Sequence, residues 1–260
     1  MTEQMTAAPG GDQVKMSTPG APLTHRQAAA VAGVAYVLII VLGGFSTFFV
    51  FGRVVQQTNA AGAVSALLNP PVLFGSGVAA FVATLIADVV VAWGLYILFQ
   101  GMSRELSLFV AWFRVVYVAI AAAALLNLVV AFRLADGAGY ASALEAVQRN
   151  AQVMVSVDAF QYGWRVSLVF FGVHLLLLGF VMVRSDYAPS LLGRLVSLAG
   201  LAYAVNNLAI VLLAGHQGYG RLIQLVLTVL AVPGEFGLVG WLLWRAMPGS
   251  ESSDREVSPS

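Results

Sequence analysis

Six apolar runs dominate this chain, each about as long as the roughly 20 helical residues that cross a bilayer's hydrocarbon. They extend from about 28 to 51, 72 to 99, 107 to 132, 164 to 183, 191 to 214 and 222 to 244. Hydrocarbon offers no water to satisfy backbone amides, so each run must close its hydrogen bonds within itself as a helix. The expected fold is therefore all-α, an integral membrane bundle of six transmembrane helices. Gly43 and Gly44, Gly172 and Gly179, and Gly193 and Gly200 fit that expectation, because small residues let helix backbones approach closely in lipid.

Composition excludes the soluble alternatives. Hydrophobic residues make up 60% of the chain and charged residues 10%, against roughly 25% charged in an average soluble protein. Thirteen basic residues against twelve acidic ones leave a formal charge of +1, too little for a nucleic-acid binder. The absence of cysteine removes disulfides, thiolate metal sites and Cys nucleophiles. The partner these numbers imply is the lipid bilayer, and oligomeric state is left open.

Residues 1–25 read as a disordered cytoplasmic leader, 26–246 as the six-helix transmembrane domain and 247–260 as a disordered tail. The leader lacks an apolar run, so helix one is expected to act as an uncleaved anchor. Connections of about seven residues join helices two and three and helices four and five. The opposite face carries two longer ones, 52–71 and 133–163. In the second, Leu144, Val147, Ala151, Met154 and Val155 recur at helical spacing, which predicts a helix lying on the membrane surface or capping the bundle.

Orientation follows from Lys and Arg near the membrane. Lys15, Arg26, Arg104, Arg184, Arg194 and Arg245 share the face of the termini, and Arg53, Arg133, Arg149, Arg165 and Arg221 the other. The first face also has the shorter loops and so the higher charge density, which puts both termini in the cytoplasm. Trp112, Trp241 and Trp244 are expected at one interface, and Trp164, Tyr162 and Tyr219 at the other.

Four ionisable residues interrupt the apolar runs: Asp88, Arg114, His174 and Glu235. Each costs at least about 2.5 kcal/mol at the centre of a membrane helix. At 1.5 Å per residue from the terminus-bearing face, Asp88 lies about 17 Å deep, His174 and Glu235 about 15 Å, and Arg114 about 10 Å. Three helices thus carry a carboxylate or imidazole to one level near the midplane, and the four residues are expected to meet as one network. Two carboxylates and one guanidinium sum to −1; a protonated His174, or a proton on Asp88 or Glu235, brings the cluster to zero, which is cheaper to bury. Pro233 and Gly234 precede Glu235, and a helix-interior proline frees the carbonyl four residues back and kinks the helix.

Three readings of these residues stay open. One is a proton or small-molecule site of a small transporter. A second is an intramembrane enzyme whose metal would be held by Asp88, His174 and Glu235, although Arg114 would repel a cation. A third is a polar network that only holds helices together in a non-catalytic scaffold. Asn127, Asn206 and Asn207 read as interhelical glue, and His25 and His216 as solvated. The residues name no cofactor: no Gly-rich phosphate loop, nucleophile elbow or paired-His zinc motif is present.

The stretch Phe170-Phe171-Gly172-Val173-His174-Leu175-Leu176-Leu177-Leu178-Gly179-Phe180 runs into Arg184-Ser185-Asp186-Tyr187-Ala188-Pro189, then Leu192-Gly193 and Ala199-Gly200-Leu201-Ala202-Tyr203. With Arg26 before Ala32-Gly33-Val34-Ala35-Tyr36, and Asp88 before Leu95-Tyr96, it resembles the bacterial membrane family known as domain of unknown function 4386. The resemblance covers about 26 to 245 and implies a multi-pass protein of the bacterial plasma membrane. It implies no activity, cofactor or catalytic residue.

Overall fold

The computed structural model describes residues 23–213 and 220–248. Among the described residues all regular structure is helical, with no strand. The expected disordered leader lies almost wholly outside them, as do Tyr219, His216 and all but the first two residues of the tail.

Helix α1 spans His25–Val55. Thr24 starts it with a reciprocal cap, its hydroxyl accepting from the Gln27 amide while the Gln27 side chain returns to the Thr24 amide. Over Ile39–Gly43 and Phe45–Phe51 the turns widen to i→i+5 hydrogen bonding. Ser46 sits inside that stretch and donates to the carbonyls of Leu42 and Gly43 at 2.9 and 3.1 Å. Such widened turns concentrate at functional sites. A short helix, α2 (Ala60–Leu68), follows, capped by Asn59 on the Gly62 amide at 2.8 Å.

Helix α3 (Pro71–Phe99) begins on a proline, which costs nothing at a first-turn position. Helix α4 (Arg104–Asp136) is capped by Ser103 and ends at Gly137, whose φ of 71° lies in the left-handed region and suits glycine. Helix α5 covers Ala146–Arg184, α6 covers Ser190–Leu212 and α7 covers Gly220–Ala246. In the order α1, α3, α4, α5, α6, α7 each long helix packs on the next, and α7 closes on α1. The result is a ring of helices around a central polar site.

Helices α1, α3, α4, α5 and α6 are long and apolar enough to cross a membrane. The ring turns large apolar side chains outward, with Phe48 77% exposed and Trp112 and Leu126 each 64% exposed. A soluble surface would not tolerate so many; lipid does. Close approach inside the ring rests on small residues. A Cβ on Gly94 of α3 would come within 2.9 Å of the Ala32 Cβ of α1.

Three expectations change. The connection over 144–155 is helical, but from Ala146 it belongs to the 39-residue α5, about 58 Å long, rather than to a separate surface helix. The buried side chains of this extension are Val153, Val157 and Phe160, while Val147 and Val155 face outward. The 3-4 spacing marked a helix correctly but its wrong face, because α2 packs on α5 and covers residues chosen by azimuth. Second, the 52–71 connection contains α2, a helix too short and too weakly patterned to announce itself. Third, Trp241 is buried against Phe99 and Tyr187 instead of anchoring at an interface.

A buried ion pair and a neighbouring cavity

Arg114 stands at the centre of the ring. It projects from α4 and is 1% exposed, held inside instead of reaching back to the interface. Its Nε and Nη2 both donate to Asp88 Oδ1 of α3, at 3.0 and 2.5 Å. Nη1 donates to the Tyr36 hydroxyl of α1 at 2.6 Å and meets His174 Nε2 of α5 at 3.2 Å. The guanidinium also lies over the Tyr36 ring at 4.7 Å and near the Phe171 ring at 5.5 Å, adding cation–π attraction in a desolvated place. Four helices therefore converge on one cation.

The partners of His174 define its chemical form. Nδ1 lies 2.9 Å from the Val110 carbonyl oxygen, which only accepts, so Nδ1 carries a hydrogen. Nε2 faces Arg114, which only donates, so Nε2 must be an acceptor. The ring is neutral with its proton on Nδ1. Of the routes to a neutral cluster, protonation of His174 is the one this arrangement excludes. Asp88 and Arg114 already balance each other.

Asp88 is bonded asymmetrically. Oδ1 takes both bonds from Arg114, while the buried Oδ2 makes none. Tyr117 of α4 turns its hydroxyl toward this carboxylate, and its ring packs 5.1 Å from that of Phe171.

Glu235 stands apart from these three. It lies close enough to Arg114 and Asp88 to interact through charge, and its carboxylate lies beside the Tyr203 hydroxyl of α6. Of the four ionisable residues expected to meet as one network, Asp88, Arg114 and His174 are in direct contact, whereas Glu235 lies beside Tyr203. Gly234 is where α7 touches α6: a Cβ there would lie 3.0 Å from the Leu195 carbonyl oxygen. Helix α7 continues through Pro233.

A cavity of about 420 Å³ lies between α1, α3, α5 and α6, lined by Thr47, Phe51, Gln56, Phe81, Trp164, Arg165 and Tyr203 among others. The widened turns of α1 form one wall. Tyr203 therefore lines the cavity and also lies beside Glu235. Toward the terminus-bearing face, Leu95, Phe99, Leu178 and Val181 close over His174 and leave no room for water.

The three residues considered as metal ligands do not share a centre. Arg114 occupies the space between Asp88 and His174, Glu235 faces Tyr203, and no three of His, Asp and Glu among the described residues gather for a metal. Asn206 and Asn207 are buried. Asn207 Nδ2 donates to the Tyr203 carbonyl at 2.9 Å and its Oδ1 accepts from Arg165 Nη1 at 3.3 Å, so it does link α5 and α6. Asn127 instead donates to carbonyls of its own helix. His25 is exposed, with its ring edge-on to Tyr187 at 5.3 Å. Tyr36, Tyr117 and Tyr203 are the polar members that sequence reasoning missed. The usable signal was Arg114 itself, since five N–H donors in hydrocarbon need more acceptors than one carboxylate supplies.

Fold and site together define a helical bundle of membrane-protein type with a buried ion pair at its heart. The chain belongs to the DUF4386 family, a domain of unknown function, whose model matches residues 31–246. It is similar to an uncharacterized protein of Archaeoglobus fulgidus, 32% identical over 124 residues, which is 48% of this chain and 60% of that protein. The chain thus spans less than two thirds of that relative's length. No solved structure matches it.

Proposed function

We propose that this protein is a small proton-coupled transport element of the bacterial plasma membrane, built from six spans. Helix α7, with 27 residues and a length of about 40 Å, supplies the sixth span, and the short-loop arginines favour cytoplasmic termini. The observation that carries the reading is the placement of Tyr203, which lines a cavity and lies beside Glu235. Intramembrane carboxylates are the usual carriers in proton relays. Asp88 is tied to Arg114, whereas Glu235 faces a neutral hydroxyl and is free to gain or lose a proton. The cavity supplies the approach from one face, and the packing over His174 seals the other. A cavity that reaches the tyrosine beside a midplane carboxylate, with the opposite side packed shut, fits one state of an alternating-access cycle.

The test is proton flux. Purified protein in liposomes containing a pH-sensitive dye is driven by a valinomycin-clamped potassium gradient, with pools of small organic acids and amines supplied outside. Flux above protein-free liposomes is expected for the wild type, with loss in Glu235→Gln and strong reduction in Tyr203→Phe. Wild-type flux at the background level with every pool, or an undiminished Glu235→Gln, would overturn the reading. A purely structural role for the network predicts that second outcome.

A further inference from the structure

We infer that the cavity beside Tyr203 is a binding site for an anionic amphiphile, a carboxylate or phosphate on an apolar, preferably aromatic, body, with Arg165 as its anion-binding group. The inference deepens the transport reading by naming its substrate class, and it rests on that reading for its place in a cycle.

Arg165 lies on α5, half-buried, and lines the cavity. Asn207 orients it. The Asn207 amide nitrogen is committed to the Tyr203 carbonyl, which aims its oxygen at Arg165 Nη1. That bond uses one of five guanidinium N–H groups. No carboxylate stands within salt-bridge range of Arg165 among the described residues, where Arg114 with Asp88 is the pair formed. None of its nitrogens is buried without a partner, so the unused donors open onto the cavity. The contrast with Arg114 is informative, since that guanidinium is satisfied by three side chains from three helices.

The rest of the lining fits the body of such a ligand. Phe48, Phe51, Phe81, Phe160 and Trp164 supply aromatic wall, and no acidic side chain faces the space. Gln161 lies one turn before Arg165 on the same helix and also lines the cavity, adding a neutral amide beside the cation. A volume of about 420 Å³ falls in the range that encloses a drug-sized molecule. An arginine with spare donors against aromatic walls binds an oxyanion in a bidentate manner and stacks its apolar part. A cationic ligand would meet Arg165 without compensation, and a neutral one would leave its donors unused.

The anion has two sources, a free organic acid from solution or the headgroup of an anionic lipid, and two arms of one experiment separate them. The full chain is placed in phosphatidylcholine nanodiscs and titrated calorimetrically with 2-naphthoate and with its neutral isostere 2-naphthamide, empty discs giving the partition background. Saturable naphthoate binding is expected, about tenfold or more tighter than the amide, since charge-assisted bonds carry that much discrimination. Arg165→Gln should lose about the same factor for naphthoate and none for the amide, and Arg165→Lys should recover part of it. In the second arm, discs containing phosphatidylglycerol are examined by native mass spectrometry. Retention of that lipid by the wild type but not by Arg165→Gln, with naphthoate excluded, assigns the site to lipid headgroups.

Equal affinity for acid and amide, or an unchanged Arg165→Gln, with no lipid retention that depends on Arg165, overturns the inference. Should Arg165→Gln fail to fold, the acid–amide comparison on the wild type and the Arg165→Lys variant still decide. Both arms read binding alone and are unaffected by Glu235→Gln, so a failed proton-flux experiment and a failed anion site are separable results.

Discussion

Arg114 and Asp88 meet through a single oxygen: Nε and Nη2 of the arginine both converge on Oδ1, at 3.0 and 2.5 Å, and Oδ2 is left without a hydrogen bond. Both side chains are almost fully buried, at 1% and 2% exposure. Breaking such a pair from one side strands a charge in a low-dielectric interior, at a cost of about 3–5 kcal/mol. Asp88→Asn and Arg114→Gln should therefore each lower the thermal unfolding midpoint in detergent sharply. The double variant should be less destabilised than the sum of the singles, because it buries no net charge. Single variants within about 1 kcal/mol of the wild type would mean that the pair is not buried as ions.

His174 gives a spectroscopic prediction. Held between the Val110 carbonyl and Arg114 Nη1, its ring must carry a hydrogen on Nδ1 and a lone pair on Nε2. At pH 7, a nitrogen-15 correlation spectrum of histidine-labelled protein should show one neutral ring of that tautomer, and that signal should vanish in His174→Phe. A cationic ring or the opposite tautomer would require Arg114 to point elsewhere. The same variant leaves one guanidinium N–H unpaired, while the Val110 carbonyl keeps its bond within the helix, and should cost about 1–3 kcal/mol of stability.

Asp88, Arg114 and His174 were legible because a charge or imidazole in an apolar run has few tolerable places other than the bundle interior. Depth was also legible, since helical rise is constant. Azimuth was not. Whether Glu235 faces Arg114 or Tyr203 depends on rotations of α6 and α7 that one sequence does not encode, and the widened turns of α1 shift every side chain after Ile39 off a regular 3.6 period. Tyr36 and Tyr203 were hidden for a different reason: a tyrosine in a hydrophobic run counts toward hydrophobicity, and its hydroxyl matters only once a partner is known. Arg165, the second residue of the fourth apolar run, counted only as a charge flanking the membrane, because the polar residues before it end that run, although α5 continues unbroken through them.

Cytoplasmic termini, expected from the short-loop arginines, are directly testable by labelling. The chain has no cysteine, so single-cysteine labelling is clean. Tyr140, 101% exposed after α4, should react with an impermeant maleimide in intact cells as Tyr140→Cys. Asp186, exposed between α5 and α6, should react as Asp186→Cys only after the membrane is opened. The reverse pattern would invert the protein without altering its bundle.

The seam between α5 and α6 sets how precisely these groups are held. Gly172 and Gly200 face each other across it: a Cβ on Gly172 would fall 2.6 Å from the Gly200 carbonyl oxygen, and one on Gly200 would fall 2.5 Å from that of Gly172. Both obstacles are backbone, which moves only if the helices part. Gly179 and Gly193 repeat the relationship nearer the terminus-bearing face. His174 and Tyr203 ride on these same two helices, so parting them would move the imidazole off Val110 and the hydroxyl off Glu235 together. Gly200→Ala should therefore destabilise by at least the 1–3 kcal/mol (approximately) typical of overpacking, and the His174 Nδ1–H signal should shift or broaden. Gly75→Ala on α3 is the matched control, since a Cβ there meets nothing within 4 Å. It should be neutral or should gain up to about 1 kcal/mol from helix propensity. If the two variants melt alike, α5 and α6 are not in backbone contact, and the glycines cannot be what positions His174 and Tyr203.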